Sequence, residues 1–168
     1  MWFVGQQISR PTPDVPNDVK ARGLAYWECR LEEAIRSGQL DSYRSELGVI
    51  GQWCFYGQVD ELWLCNELLR MLKADFVPTE AYSVVEWLQK VAPRHVDLAV
   101  EVMGALLRHP RVNQWAYMTR RDPIRAVLSE GLARGTPKTV ERVDEIVGFL
   151  STMGETSYLD LVRPAATE

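Results

Sequence analysis

The sequence is poor in the residues that build disulfide frameworks and metal sites. It has three cysteines, Cys29, Cys54 and Cys65, and no C-x-x-C pair. Each cysteine falls where a helical pattern places an apolar residue, which favours buried free thiols in a reducing compartment over disulfide or metal roles. The two histidines, His95 and His109, flank one predicted helix at opposite ends. A straight helix of that length separates them by about 20 Å, so they cannot share a metal ion.

Lysine, net positive charge and long apolar runs are also scarce. The 168 residues carry a formal charge of −4, which argues against a general attraction to nucleic acid or to an anionic membrane surface. No window approaches the roughly 20 apolar residues of a membrane span. The first residues are apolar but lack the basic flank of a signal peptide. We therefore expect a cytoplasmic protein with no membrane association.

Sequence motifs for catalysis and nucleotide binding are missing. There is no G-x-x-x-x-G-K-[ST] phosphate loop and no G-x-S-x-G, and no serine, cysteine or threonine stands beside a histidine in a nucleophile setting. Paired carboxylates fall at predicted helix ends or on a thin polar strip, where solvated charge is the ordinary explanation. These pairs are Glu32-Glu33, Asp60-Glu61 and Asp97 with Glu101. The sequence predicts a protein that is not an enzyme and holds no cofactor or metal.

Apolar residues at helical spacing are what the chain has in quantity, since hydrophobic residues make up 46% of it. From Val96 to Leu107 the pattern is apolar around most of the helix circumference. Only a narrow polar strip, formed by Asp97, Glu101 and the following Arg108, is expected to face solvent. A helix of this kind has to be covered on at least two sides, so we expect the chain before it and the chain after it to pack there.

The predicted helices recur at a regular interval. They start near residues 18, 41, 59, 79, 95, 123 and 137, and every second start is roughly 36 to 44 residues further on, the period of two-helix HEAT or armadillo units. No stretch alternates with period two over enough residues to indicate a strand. We predict an all-α fold, a short HEAT- or armadillo-like α-solenoid of about seven helices. An irregular helical bundle is the alternative.

The predicted domain organisation is simple. Residues 1–17 form an irregular leader because their prolines remove backbone donors and favour extended conformations. Residues 18–163 form a single helical-repeat domain, which is an ordinary size for one hydrophobic core. Residues 164–168 form a frayed tail.

Local signals predict how some helices begin and pack. Gly48 and Gly51 lie inside the helix predicted for residues 41–56, where they reduce helix propensity and are expected to let a neighbouring helix come close. Asp122-Pro123 and Thr136-Pro137 each place a capping side chain before a proline at the first helical position. Both pairs are therefore predicted helix starts.

The candidate binding surface is a cluster of arginines around the longest predicted connection. Arginines and large aromatic side chains are typical of protein hot spots and of nucleic-acid grooves. The arginines are Arg108, Arg111, Arg120, Arg121 and Arg125, and the connection carries Trp115 and Tyr117. Ordinary solvated charge is one interpretation of this cluster. Among binding roles, net acidity and scarce lysine favour a protein partner, and nucleic acid bound through the Arg108–Arg125 region is the alternative.

Trp63 is a second candidate contact. It falls on the polar side of its predicted helix, beside Asn66, Glu67 and Arg70. A tryptophan in this position is either covered by a neighbouring loop or helix, or is a partner-facing anchor. Both interpretations stay open at the level of the sequence.

Several short sequence segments resemble the helical C-terminal region of large bacterial NTPases of the STAND or NACHT type. They read Ala25-Tyr26-Trp27-Glu28-Cys29-Arg30, Gly51-Gln52-Trp53-Cys54-Phe55-Tyr56-Gly57, Leu62-Trp63, Pro123-Ile124-Arg125-Ala126-Val127-Leu128, Gly131-Leu132-Ala133, Gly135-Thr136-Pro137 and Gly154-Glu155-Thr156-Ser157-Tyr158-Leu159-Asp160-Leu161. The resemblance covers most of residues 20–163. In such proteins this region is the sensor or partner-binding end, so the resemblance implies a detached sensor-like module of a signalling or defence system.

The function predicted from the sequence is protein recognition by a non-enzymatic helical scaffold. The predicted contact residues are Trp115, Tyr117, Arg120, Arg121, Arg125 and Trp63. An arginine-lined nucleic-acid binder and a small-molecule or nucleotide binder with a site between helices are the alternatives.

Overall fold

A computed structural model describes residues 16–56, 59–112 and 119–162. Its helices are α1 (Asn17–Ser37), α2 (Leu40–Leu47), α3 (Ile50–Tyr56), α4 (Glu61–Lys73), α5 (Ala81–Val91), α6 (Val96–Leu107), α7 (Arg121–Arg134), α8 (Pro137–Thr152) and α9 (Leu159–Val162). Within the three described ranges there is no strand, which confirms the all-α prediction. None of these helices has the length and apolar character needed to cross a membrane.

The internal contacts of the chain divide it into two compact units, residues 1–87 and residues 88–168. Units of this size occur both as halves of one domain and as separate domains. The single domain predicted over 18–163 therefore stays a prediction. The leader and the tail lie almost entirely outside the described residues, although α1 begins at Asn17, one residue earlier than predicted.

In the first unit, α1 packs by one face and contacts α2. Trp27, Leu31 and Ala34 are fully buried on this face, as their three- and four-residue spacing predicts. Ile35, four residues after Leu31, lies at the edge of this stripe and is exposed. The helix ends at Gly38, whose φ of 68° is a left-handed conformation that glycine adopts without steric cost.

The helix predicted for residues 41–56 is broken into α2 and α3 by a turn at Gly48-Val49. The Gly48 carbonyl accepts hydrogen bonds from the backbone N–H and the hydroxyl of Thr79, at 2.9 and 3.0 Å. A Cβ added at Gly48 would lie 2.8 Å from Thr79 Cγ2, and one added at Gly51 would lie 3.1 Å from the Glu80 carbonyl. The close approach predicted at these glycines is present, but the neighbour is the turn before α5 and not a helix.

In the second unit, α6 is enclosed as its sequence predicts. Val100 and Val102 point to opposite sides of this helix, and both are fully buried. Within this unit α6 contacts both α7 and α8, and α7 and α8 contact each other. That the chain before α6 also packs on it stays a prediction.

Gly131 lies where the three helices of the second unit come closest together. A Cβ added to Gly131 in α7 would lie 2.8 Å from Val100 Cγ2 in α6 and 2.9 Å from Val143 Cγ2 in α8. Gly104 plays the same part between α6 and α8, because its added Cβ would lie 2.9 Å from Ile146 Cδ1. These two glycines let the helix backbones approach to a distance that any side chain would increase.

The helix starts predicted at the two prolines have different outcomes. Pro137 occupies the first turn of α8, directly after Thr136, as predicted. At the other site, α7 already begins at Arg121, so Asp122 is inside the helix and does not cap it. The second of these predictions is wrong by two residues.

We predict that Gly131→Ala destabilises the protein and that Gly148→Ala does not. The new methyl group at residue 131 has to displace Val100 and Val143, at a cost of about 1–3 kcal/mol. Gly148 is exposed in α8 with no atom within 4 Å of its added Cβ, so alanine there should stabilise by up to about 1 kcal/mol through helix propensity. Urea unfolding of the two variants measures both effects. Equal free energies of unfolding would contradict the close approach of the three helices at Gly131.

Candidate partner-binding surface

Arg121 and Glu155 form one of two arginine–carboxylate pairs at the predicted site. The Nε and Nη2 atoms of Arg121, in the first turn of α7, donate to Glu155 Oε2 at 3.1 and 2.9 Å. The side chain of Glu155 is 8% exposed and that of Arg121 is 54% exposed. Hydrogen bonds from Ser157, followed by those from Arg121, hold the pKa of Glu155 below its ordinary value. The pair therefore fixes the arginine from its inner side and leaves its outer side open to solvent.

Arg125, one turn further along α7, is fixed in a similar way. Its Nη1 and Nη2 atoms donate to the two carboxylate oxygens of Asp160 at 2.8 and 3.0 Å, and Nη2 also donates to the Ser157 carbonyl. The guanidinium carbon lies 5.7 Å from the centre of the Tyr158 ring, within the range of a cation–π contact. The Arg125 side chain stays 37% exposed.

Tyr158 anchors the segment that supplies these carboxylates. It is 1% exposed, and burial raises the pKa of its hydroxyl to about 12. Its hydroxyl donates to the Arg121 carbonyl at 3.5 Å. Residues 155–160 are thus held on α7 by one buried aromatic ring and two arginine–carboxylate pairs.

The remaining residues of the predicted arginine cluster differ in their surroundings. Arg120 is partly buried directly before α7. Arg108 lies across from α8, where its Nη1 donates to Glu145 at 3.2 Å. Trp115 and Tyr117 lie outside the described residues, so their part in the site stays a prediction. We call Arg120, Arg121 and Arg125 the arginine surface.

Trp63 is covered in part by its own unit. Its ring stacks on Trp53 with centroids 6.0 Å apart, and Trp53 meets Trp27 edge to face at 5.3 Å. Its Nε1 donates to Glu28 Oε1 at 2.5 Å, which ties α4 to α1. These contacts match the first of the two interpretations given for Trp63, and its role as a partner-facing anchor stays a prediction.

A shallow cleft of about 170 Å³ lies between α6 and α8. It is lined by Asp97, Val100, Glu101, Thr136, Lys138, Thr139 and Arg142. Ligand pockets for drug-sized molecules usually have about 300–1,000 Å³. The cleft is therefore too small to enclose a nucleotide.

Asp97 already occupies the polar end of this cleft. Its Oδ1 atom accepts hydrogen bonds from the backbone N–H and the hydroxyl of Thr136, at 2.9 and 3.2 Å, and from the hydroxyl of Thr139. The hydrogen bonds from Thr139 and then Thr136 hold the pKa of Asp97 below its ordinary value. A carboxylate of α6 thus caps the start of α8, where the sequence predicted a cap from Thr136.

The histidines lie where the sequence places them. His95 is the residue before α6, and His109 is buried after its end. Among the described residues there is no group of three or more histidine, cysteine, aspartate or glutamate side chains that could hold a metal ion.

The cysteines divide into two kinds. Cys54 and Cys65 are buried, as predicted, and burial raises the pKa of Cys65 to about 12 and that of Cys54 well above its ordinary value. Cys29 is exposed, which corrects the prediction of a third buried thiol. It lies on α1 away from the face that carries Trp27 and Leu31.

Comparison of the chain with protein-family models, curated proteins and solved structures finds no match. The sequence singled out Arg121 and Arg125 but missed Glu155, Tyr158 and Asp160. The only local signal for these residues is the pair of carboxylates on either side of a tyrosine near the end of the chain.

We predict that Glu155→Gln lowers the free energy of unfolding at neutral pH and makes that free energy less dependent on pH in the acid range. Because the folded state lowers the pKa of Glu155, the ionised carboxylate stabilises the fold above its ordinary pKa of 4.5, and this contribution is lost as the pH falls. The half-exposed Arg121 limits the loss at pH 7 to about 1 kcal/mol. Chemical denaturation at pH 7 and pH 3 measures the difference, with the exposed Glu141→Gln as control. An unchanged pH dependence in Glu155→Gln would contradict the described pair.

We also predict that a thiol reagent such as Ellman's reagent modifies one cysteine of the native protein rapidly. Cys29 is exposed, whereas burial protects Cys54 and Cys65 and keeps them protonated. Three equivalents should react after denaturation, and Cys29→Ser should abolish the fast reaction. Rapid reaction of two or three native thiols would show that the first unit opens readily.

Proposed function

We propose that this chain is a non-enzymatic helical module that recognises another protein through the arginine surface. The observation that carries the proposal is that Arg121 and Arg125 remain 54% and 37% exposed while carboxylates hold their guanidinium groups in place. A side chain that is already fixed loses little conformational freedom when a partner binds. Arginine is also one of the residues most often found to dominate a protein interface.

The same pairs favour a protein partner over nucleic acid. Glu155 and Asp160 lie within hydrogen-bond distance of the two guanidinium groups and offset their positive charge. A phosphate backbone is attracted by uncompensated positive charge, and this attraction is the main source of its affinity. A protein partner does not need a net positive charge. It can accept hydrogen bonds from the guanidinium N–H groups that Glu155 and Asp160 leave unused, and it can pack on the flat guanidinium faces.

Two further parts of the proposal concern setting and architecture. We propose the HEAT- or armadillo-like α-solenoid as the arrangement of the helices, supported by the contacts of the consecutive pairs α1 with α2 and α7 with α8. The mutual contacts of α6, α7 and α8 also suit the alternative, an irregular bundle. The setting, a sensor-like module of a bacterial signalling or defence system, rests on the sequence resemblance to STAND and NACHT NTPases.

We predict that Arg121→Gln strongly weakens partner binding and that Glu155→Gln, whose amide oxygen can still accept from Arg121, weakens it much less. Both variants break the same ion pair and should lose similar stability, but only the first removes the exposed guanidinium group. A hot-spot contact contributes about 2 kcal/mol, which corresponds to a loss of affinity of roughly 30-fold. The immobilised full chain would be used to capture partners from a lysate of the producing cells, and the affinity of the identified partner would then be measured for each variant.

The contrary outcomes of this experiment are distinct. Equal binding by Arg121→Gln and the unaltered chain would exclude the arginine surface as the contact. Binding of an oligonucleotide that falls steeply between 50 and 200 mM salt would favour the nucleic-acid alternative.

A further inference from the structure

Much of α1 outside its buried stripe is exposed, and one row of exposed residues follows the helix at intervals of three and four. They are Val19, Arg22, Tyr26, Cys29, Glu33 and Arg36, and all six are exposed. This is the spacing of a helix–helix seam, in which every first and fourth residue of a heptad meets a partner helix. The seam lies on the side of α1 away from Trp27, Leu31 and Ala34, which fill the core of the first unit. We call these six residues the α1 seam.

The middle of the α1 seam is apolar and its flanks are charged. Its centre consists of Tyr26, which is 51% exposed, and Cys29, which is also exposed. Arg22 lies on the N-terminal side of this apolar centre and Glu33 on the C-terminal side, with side chains 75% and 50% exposed. The two charges of opposite sign are thus separated along the helix axis.

This order of charges selects one orientation of a second helix with the same sequence. In a parallel pair Arg22 would face Arg22 of the other copy, and Glu33 would face Glu33, so both contacts would repel. In an antiparallel pair centred between Tyr26 and Cys29, Arg22 faces Glu33 at both ends. The same register places Tyr26 opposite Cys29 in the centre, and the long apolar stem of Arg36 opposite Val19.

We propose that the α1 seam is the docking surface for a second copy of this chain, which binds through its own α1 in antiparallel orientation. The two charged residues that set the orientation have partners within α1 but stay exposed: Arg22 contacts Asp18 at 3.1 Å, and Glu33 contacts Arg30. The seam spans 18 residues, or about 27 Å of helix. One helix pair of this length is small beside the 1,200–2,000 Å² of a standard stable interface. The dimer is therefore expected to be weak.

Charge reversal and its repair test the antiparallel register. Arg22→Glu and Glu33→Arg should each weaken the dimer at least tenfold in sedimentation equilibrium at low salt. The double variant Arg22→Glu/Glu33→Arg restores opposite charges across the seam and should recover most of the affinity. Because both residues are exposed, far-UV circular dichroism should show the same helix content in all variants. A chain that stays monomeric at several hundred micromolar, or a double variant as weak as the single ones, would overturn the proposal.

Cross-linking provides an independent test with the unaltered chain. In the proposed register the two Cys29 residues are offset by only three positions along the seam, within reach of a short bismaleimide. The reagent should produce a covalent dimer at concentrations near the dissociation constant, and Cys29→Ser should remain uncross-linked. Failure of the unaltered chain to form the covalent dimer at these concentrations would overturn the proposed register.

Discussion

The second unit depends on the closeness of α6, α7 and α8 at Gly131. Side chains on two helices usually keep their backbones 8–10 Å apart, and a residue without a Cβ removes that restriction locally. At Gly131 the methyl groups of Val100 and Val143 come within 2.9 Å of the position that a Cβ would take. This approach lets one turn of α7 contact both neighbours at once. The burial of the surrounding valines, isoleucines and leucines follows from that position.

Around this apolar centre, charged side chains tie the elements to one another. Asp97 reaches from α6 to the start of α8, and Arg108 reaches from the end of α6 to Glu145 in α8. The sequence assigned both residues to a strip left for water. Exposed ion pairs contribute little to stability, but a carboxylate that accepts hydrogen bonds at a helix start fixes where that helix begins. The polar residues of α6 therefore fix the position of α8 along α6 more than they add to the stability of the unit.

The sequence predicted what depends on local periodicity and missed what depends on distant residues. The buried face of α1 and the enclosure of α6 follow from spacing, and the position of Pro137 follows from its lack of a backbone donor. The break at Gly48 could not be predicted, because the residue that donates hydrogen bonds to the Gly48 carbonyl is Thr79, 31 residues further along. For the same reason Arg121 and Arg125 were found, but their carboxylate partners more than 30 residues away were not. An ion pair between distant segments leaves no local sequence pattern.

The stacked tryptophans of the first unit give the chain an uneven optical signal. Of its six tryptophans, Trp27, Trp53, Trp63 and Trp87 are described, and all four belong to residues 1–87. The described residues of the second unit contain none, and Trp115 lies in the remaining segment of that unit. The steady-state fluorescence of the protein is accordingly weighted towards one half of the chain, whereas its far-UV circular dichroism is weighted by helix content in both halves. When the two signals are recorded along the same denaturation curve, they distinguish a single cooperative transition from two sequential ones.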